Sequence, residues 1–166
     1  MAISVVGPRR VPGSAAALRA LVRLALAGEK RRAGEIAVVL SDDAALRALN
    51  LRWRRLDRAT DVLSFGYDEE AGAVVHGDVI VSLDRSVAQA RRFRVTPGRE
   101  LGRLVVHGAL HLAGLDHQRP AERRHMRARE DAVLRAGRAA VSALERVMRR
   151  SVTGPAGRAR SPRARA

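Results

Sequence analysis

His107-Gly108-Ala109-Leu110-His111-Leu112-Ala113-Gly114-Leu115-Asp116-His117 gathers three of the chain's five histidines into one short run. His107 and His111 are four residues apart, about one helical turn, so both imidazoles leave the same helix face. The letters before them read as a helix. Thr96 and Pro97 supply an N-cap and a first helical residue. Leu101, Leu104, Val105, Val106, Leu110 and Leu112 make the body apolar, and the helix is predicted to reach Ala113. Gly114 then ends it with a turn of positive φ, and His117 comes back three residues later. Two ligands on a rigid helix and one past a glycine turn occupy three corners of a tetrahedron. The fourth corner stays open for water, the pattern of catalytic zinc. Three imidazoles in such an apolar helix without a metal would leave polar atoms unpaired.

The spacing matches the extended zincin motif H-E-x-x-H-x-x-G-x-x-H, glycine included, with one departure. Gly108 stands where that motif has the glutamate that serves as general base in metalloproteases. This argues against a peptidase. Cysteine is absent, so disulfides and thiolate ligands are excluded, and any metal must rest on histidine and carboxylate. His76, before a strand, and His125, on an arginine-rich helix, read as surface residues rather than ligands.

The 166 residues suit one domain. Lys+Arg total 32 against 17 Asp+Glu, a net charge of +15, and every basic residue except Lys30 is arginine. Base composition of the genome accounts for the arginine bias but not for the net charge, which makes RNA or DNA the default partner. Aromatic residues are only 2% of the chain, which argues against an RNA-recognition sheet built on stacking. No run approaches the roughly 18 apolar residues of a membrane span, and no leader is evident, so a soluble, cytoplasmic protein is expected. Residues 1–150 read as the folded domain. Residues 151–166 read as a disordered, arginine-rich tail, either a nucleic-acid-binding arm or a tolerated extension.

The remaining elements follow from local signals. Ile3–Val6, Glu35–Leu40, Asp61–Phe65 and Asp78–Leu83 read as strands, the last two as a hairpin across a polar turn at residues 66–72. Helices are expected from a Ser14 cap to a Gly28 stop, after Ser41-Asp42 with Leu46 and Leu49 on one face, and from Asp84 to about Phe93. A last one opens at Pro120, is interrupted at Gly137, and ends near Arg150.

The run H-G-x-L-H-L-x-G-x-D-H resembles the signature of the YbeY family of bacterial endoribonucleases, the rRNA maturation factors. Asn50-Leu-Arg-Trp53-Arg54-Arg-Leu-Asp57-Arg-Ala-Thr60-Asp61-Val-Leu-Ser64-Phe65 is similar to that family's N-x-x-[YW]-R-x-x-D-x-P-T-[ND]-V-L-S-F-P. Gly77-Asp78-Val-Ile-Val-Ser82 is similar to its G-D-[IV]-x-I-[SC] strand, and Glu122, Met126 and Glu130 fit its acidic helix. The resemblance covers about residues 35–150. Ala59 and Gly66 replace two family prolines, altering a loop but no ligand.

The resemblance implies an α+β single domain: a small mixed four-stranded sheet packed with about five helices, one of them a zincin-like metal helix. It implies one zinc ion on His107, His111 and His117. It also implies cleavage of single-stranded RNA in 16S rRNA 3′-end maturation and in ribosome quality control, with rRNA and the small subunit or its assembly factors as partners. The family's arginine falls on Arg54, which would neutralise charge developing on the phosphorane. No carboxylate base is evident, and attack by water or by the 2′-OH stays open. Asp116 reads either as an imidazole-orienting carboxylate or as a turn residue. Trp53, the only tryptophan, reads as a core side chain before it reads as a base-stacking one. Thr60, Asp61 and Ser64 either line the cleft or pair and cap a strand. The competing reading is a non-catalytic ribosome assembly factor with a structural zinc site.

Overall fold

Runs rich in β-branched residues form the strands, and amphipathic leucine- and alanine-rich runs form the helices. The computed structural model describes residues 2–68 and 72–153. In chain order these are β1 (Ile3–Val6), α1 (Ala15–Gly28), β2 (Arg32–Ser41), α2 (Asp43–Arg54), β3 (Val62–Gly66), β4 (Val74–Ser82), α3 (Leu83–Phe93), α4 (Pro97–Leu112), α5 (Pro120–Ala136) and α6 (Arg138–Thr153). The sheet order is β1-β2-β4-β3. β1 and β4 run parallel to β2, and β3 is antiparallel to β4, as the hairpin expectation required. The result is the expected mixed α+β sheet, with six helices among the described residues rather than about five.

The extra helix comes from Gly137. It closes α5 with a bond from its N–H to Val133 O at 2.8 Å, and α6 starts at the next residue. A side chain at Gly137 would press on Leu21 Cδ2 at 2.7 Å and Leu24 Cδ1 at 3.0 Å, so the break also lets the chain approach α1. The two faces of the sheet carry different loads. α2 covers one face through Leu46, which meets Leu63 and Ile80. The other face holds the main core, where α4 lies with Leu101, Leu104, Val105, Val106, Ala109 and Leu110 all fully buried. α1 and α6 close over α4 from the far side, through Leu18, Leu21 and Leu144 among others.

Three expectations need correction. Ser14 does not cap α1. Its backbone is already helical, and its hydroxyl donates to Val11 O at 2.6 Å, bracing the preceding turn. Gly28 is not the stop: the helix includes it, and left-handed φ falls on Lys30 (φ 57°). Gly28 instead leaves room for the Arg129 side chain, which pairs with Glu29 at 2.7 Å. Trp53 is not core; it is 61% exposed. It occupies the last turn of α2, where Phe65 meets it edge-on at 6.3 Å and the Arg52 guanidinium lies 5.2 Å from its centroid, leaving most of the ring in solvent. The polar turn expected at residues 66–72 lies partly outside the described residues, as does most of the 151–166 tail; α6 runs to Thr153.

Candidate metal centre and active-site cleft

α4 is built to deliver two imidazoles at its end. Thr96 Oγ1 accepts from the Arg99 N–H at 3.2 Å, capping the start, with Pro97 in the first turn. At the other end Gly114 takes φ 103°. Its N–H bonds His111 O at 2.9 Å while the Leu115 N–H bonds Leu110 O at 3.1 Å, the paired closure of a glycine-terminated helix. The chain therefore reverses at once and brings His117 over the last turn. Asp116 Oδ1 accepts the His117 main-chain N–H at 2.7 Å, so it steadies the third histidine through its backbone.

The three histidines converge. One ligand nitrogen from each of His107, His111 and His117 lies within 4.8 Å of the others. Their rings are mutually edge-on, with centroids 4.6–5.0 Å apart. Burial first, and then positive charge on His107, His117 and Arg54, lower the His111 imidazole to about 4 against the pull of Asp116. At neutral pH His111 thus presents a free lone pair, the form a metal needs. The group could hold a metal ion, and it is the one such His/Asp/Glu group among the described residues.

A buried ionic network stands behind it. Glu130 of α5 places Oε2 3.2 Å from His107 Nδ1 and Oε1 3.0 Å from Arg103 Nη1. Arg103 also grips Glu100, with Nη2 to Oε1 at 2.6 Å. Burial pushes the Glu130 carboxyl up, but the His107 hydrogen bond and the Arg103 charge outweigh it and hold the group below the usual carboxylate range. An ionised Glu130 fixes the proton on His107 Nδ1, which leaves Nε2 as the metal-facing atom. Two carboxylates share one guanidinium, so the excess negative charge sits behind His107 and complements a cation. Sequence reading placed Glu130 in a motif without assigning its task. The available signal was its position four residues after buried Met126, a carboxylate on an apolar stripe.

In front of the histidines opens a cleft of about 370 Å³. Arg54, at the end of α2, and Thr60, Asp61 and Ser64 line it together with all three histidines. Gly114, predicted as the helix-ending turn, lines it as well, and so does Asp68, which the sequence did not single out. The segment between Arg54 and Thr60 is tied down at two points. Asn50 Nδ2 donates to Arg58 O at 3.0 Å, and Arg47 pairs with Asp57 at 2.7 Å. Asn50 and Asp57 therefore hold the loop that runs from Arg54 to Thr60 against α2. Ser64 Oγ donates to Gly108 O at 3.0 Å, pinning α4 against β3. Gly108 leaves no free space for a side chain. A Cβ there would run into Val79 Cγ1 and lie 3.1 Å from Ser64 Oγ, so a zincin-type glutamate cannot be accommodated. His76 and His125 stand apart from the site. His76 Nδ1 accepts the Glu35 N–H at 2.9 Å where the β2–β4 register shifts, and His125 is exposed. A second hollow of about 390 Å³ beside β1 gathers Arg9 and Arg10 among apolar and main-chain atoms, with no converging titratable cluster.

Fold and site together define an α+β protein in which two histidines of α4 and a third past its glycine turn could hold a metal ion, beside a cleft that Arg54 lines. The family model described as Endoribonuclease YbeY matches residues 13–137, and the chain belongs to that family. A relative from Anaeromyxobacter sp. (strain Fw109-5), named Endoribonuclease YbeY, is 46% identical over 127 residues, covering 75% of this chain and 66% of the relative. Another of the same name from Chloroflexus aggregans is 41% identical over 132 residues, covering 74% and 86%. The match spans slightly less than two thirds of the two Anaeromyxobacter relatives, 66% and 62% of their lengths. The solution structure of TM1509 from Thermotoga maritima is similar across 99% of this chain and 100% of that one, with a TM-score of 0.59 and 25% identity.

Proposed function

We propose that the chain is a zinc-dependent endoribonuclease that cuts single-stranded RNA, acting in the cytoplasm on the 3′ end of 16S rRNA and in ribosome quality control. The observation that carries this reading is the convergence of three histidines and Arg54 on one cleft, in a chain whose relatives bear the name endoribonuclease. Three imidazoles and no thiolate suit zinc, with one position left for substrate or water. When bound, such an ion supplies Lewis acidity toward a phosphoryl oxygen and toward water.

The remaining work falls to the chain's own side chains. Glu130 keeps the His107 proton on Nδ1. Arg54 sits on the cleft wall, where its guanidinium can pair with two oxygens of a phosphodiester and stabilise the charge that grows there. No glutamate at position 108 competes for the space beside the histidines, which favours a substrate that brings its own nucleophile, such as the RNA 2′-OH. The net charge of +15 favours RNA over a peptide. The small ribosomal subunit or its assembly factors would present that RNA.

Cleavage of an unstructured oligoribonucleotide and of its duplex tests the reading. Wild-type protein should cut the single strand and spare the duplex. Arg54→Ala should cut at least about 10²-fold more slowly with unchanged metal content. Products ending in a 2′,3′-cyclic phosphate support 2′-OH attack, and 5′-phosphate ends support attack by water. A metal-loaded protein that cuts no RNA, together with normal 16S 3′ ends in cells carrying only Arg54→Ala or His111→Ala, would overturn the nuclease reading in favour of an assembly factor with a structural metal.

A further inference from the structure

We propose that Trp53 is the stacking platform for one unpaired base of the strand that enters the metal cleft, and so a determinant of single-strand specificity. The proposal rests on the RNA reading above. Tryptophan is highly buried on average, though rarely completely, yet the only one in this chain is 61% exposed. It is not a loose side chain. Phe65 meets it edge-on at 6.3 Å, and the Arg52 guanidinium lies 5.2 Å from the ring centroid. An aromatic ring held in place and left open to solvent is the arrangement that binds a base by its π-face.

Its position ties it to the cleft. The next residue, Arg54, lines the cleft, and so do Ser64 and Gly66 on either side of its ring partner Phe65. Phe65 packs on the α2 face of the edge strand while Ser64 and Gly66 turn to the cleft on the α4 face, so the platform stands across β3 from the cleft and is joined to it through Arg54. Charge selects the occupant. Arg52, Arg54, Arg55 and Arg58 are all exposed within this stretch, and the one acid among them, Asp57, is already paired with Arg47. Leu51 and Leu56 are exposed nearby, but four arginines interleaved with them favour a polyanion over an apolar protein surface. A stacked base needs an unpaired π-face, which a duplex hides. Stacking at Trp53 thus admits single strands and rejects helices beside the cleft.

The lone tryptophan makes the test direct. The full-length, metal-loaded protein is titrated with a 2′-O-methyl single strand and with an abasic phosphate–sugar backbone of equal length, and indole fluorescence is followed. The base-bearing strand should quench the emission as it binds, and the abasic backbone should bind more weakly without quenching. Trp53→Leu should weaken binding of the base-bearing strand about 5- to 150-fold, the range for loss of one stacked base. It should leave binding of the abasic backbone, the metal content and the melting temperature unchanged. Trp53→Phe should recover part of the affinity. Tight binding without quenching, together with wild-type affinity in Trp53→Leu, would overturn the platform while leaving the nuclease reading intact. Absence of binding to either strand would overturn the RNA reading itself.

Discussion

Replacing Glu130 by glutamine removes one charge and almost no volume, and the structure indicates where the loss is felt. The carboxylate serves two donors at once, His107 Nδ1 at 3.2 Å and Arg103 Nη1 at 3.0 Å. A glutamine has one oxygen and one NH₂ in the same places, so either the imidazole or the guanidinium must face a donor. Arg103 retains Glu100 at 2.6 Å and its side chain is 25% exposed. The fold should therefore lose less than the about 3–5 kcal/mol that follows removal of one partner from a fully buried pair. His107 has no such reserve. Its Nδ1 loses a charged acceptor, and metal affinity should fall about 10- to 100-fold, or about 1.4–2.7 kcal/mol. Competition against a chelating dye measures the affinity, with far-UV circular dichroism as the control for folding. Metal-induced stabilisation in thermal melts should shrink by the same free energy at saturating metal. A folded Glu130→Gln protein that binds zinc as tightly as wild type would refute the role assigned to this network.

Gly108→Ala places a methyl group against Val79 and Ser64, and should cost about 1–3 kcal/mol of packing strain less about 1 kcal/mol of regained helix propensity. In a denaturant double-mutant cycle Val79→Ala should relieve that strain, and strict additivity would contradict the contact. Thr96→Ala removes the α4 cap at the Arg99 N–H and the 2.7 Å bond to Glu145, and should lower stability by about 1–2 kcal/mol in urea unfolding. RNA affinity should fall linearly on a log–log plot against salt, and a flat dependence between low and high salt would contradict phosphate-dominated binding.

Local chemistry was legible before the fold was. The four-residue histidine spacing, the Thr96-Pro97 start and the Gly114 reversal depend on neighbours within a turn or two, and each stands where the spacing put it. What escaped depends on distant partners. Glu130 is 23 residues from His107, and nothing near it in the chain names its donor. Trp53 follows Leu46, Leu49 and Asn50 on one helical face, so periodicity alone sends it inward. It is exposed because the last turn of α2 meets Phe65 and little else, a fact of tertiary placement. Ser14 carried the letter of a cap but spends its hydroxyl on Val11. Gly28 is small for Arg129 rather than for its own φ. Gly108 was legible as a missing base, but the reason for it, the closeness of Val79 on β4, was not.

The decisive measurement is elemental analysis of the purified protein, made alongside cleavage of a single-stranded RNA. If His107, His111 and His117 form the working centre, wild type carries close to one zinc per chain. His111→Ala should then be folded but nearly metal-free, and cleavage lost on chelation should return when zinc is added to wild type but not to that variant. Equal metal content in wild type and His111→Ala, or RNA cleavage that survives complete removal of the metal, would contradict it.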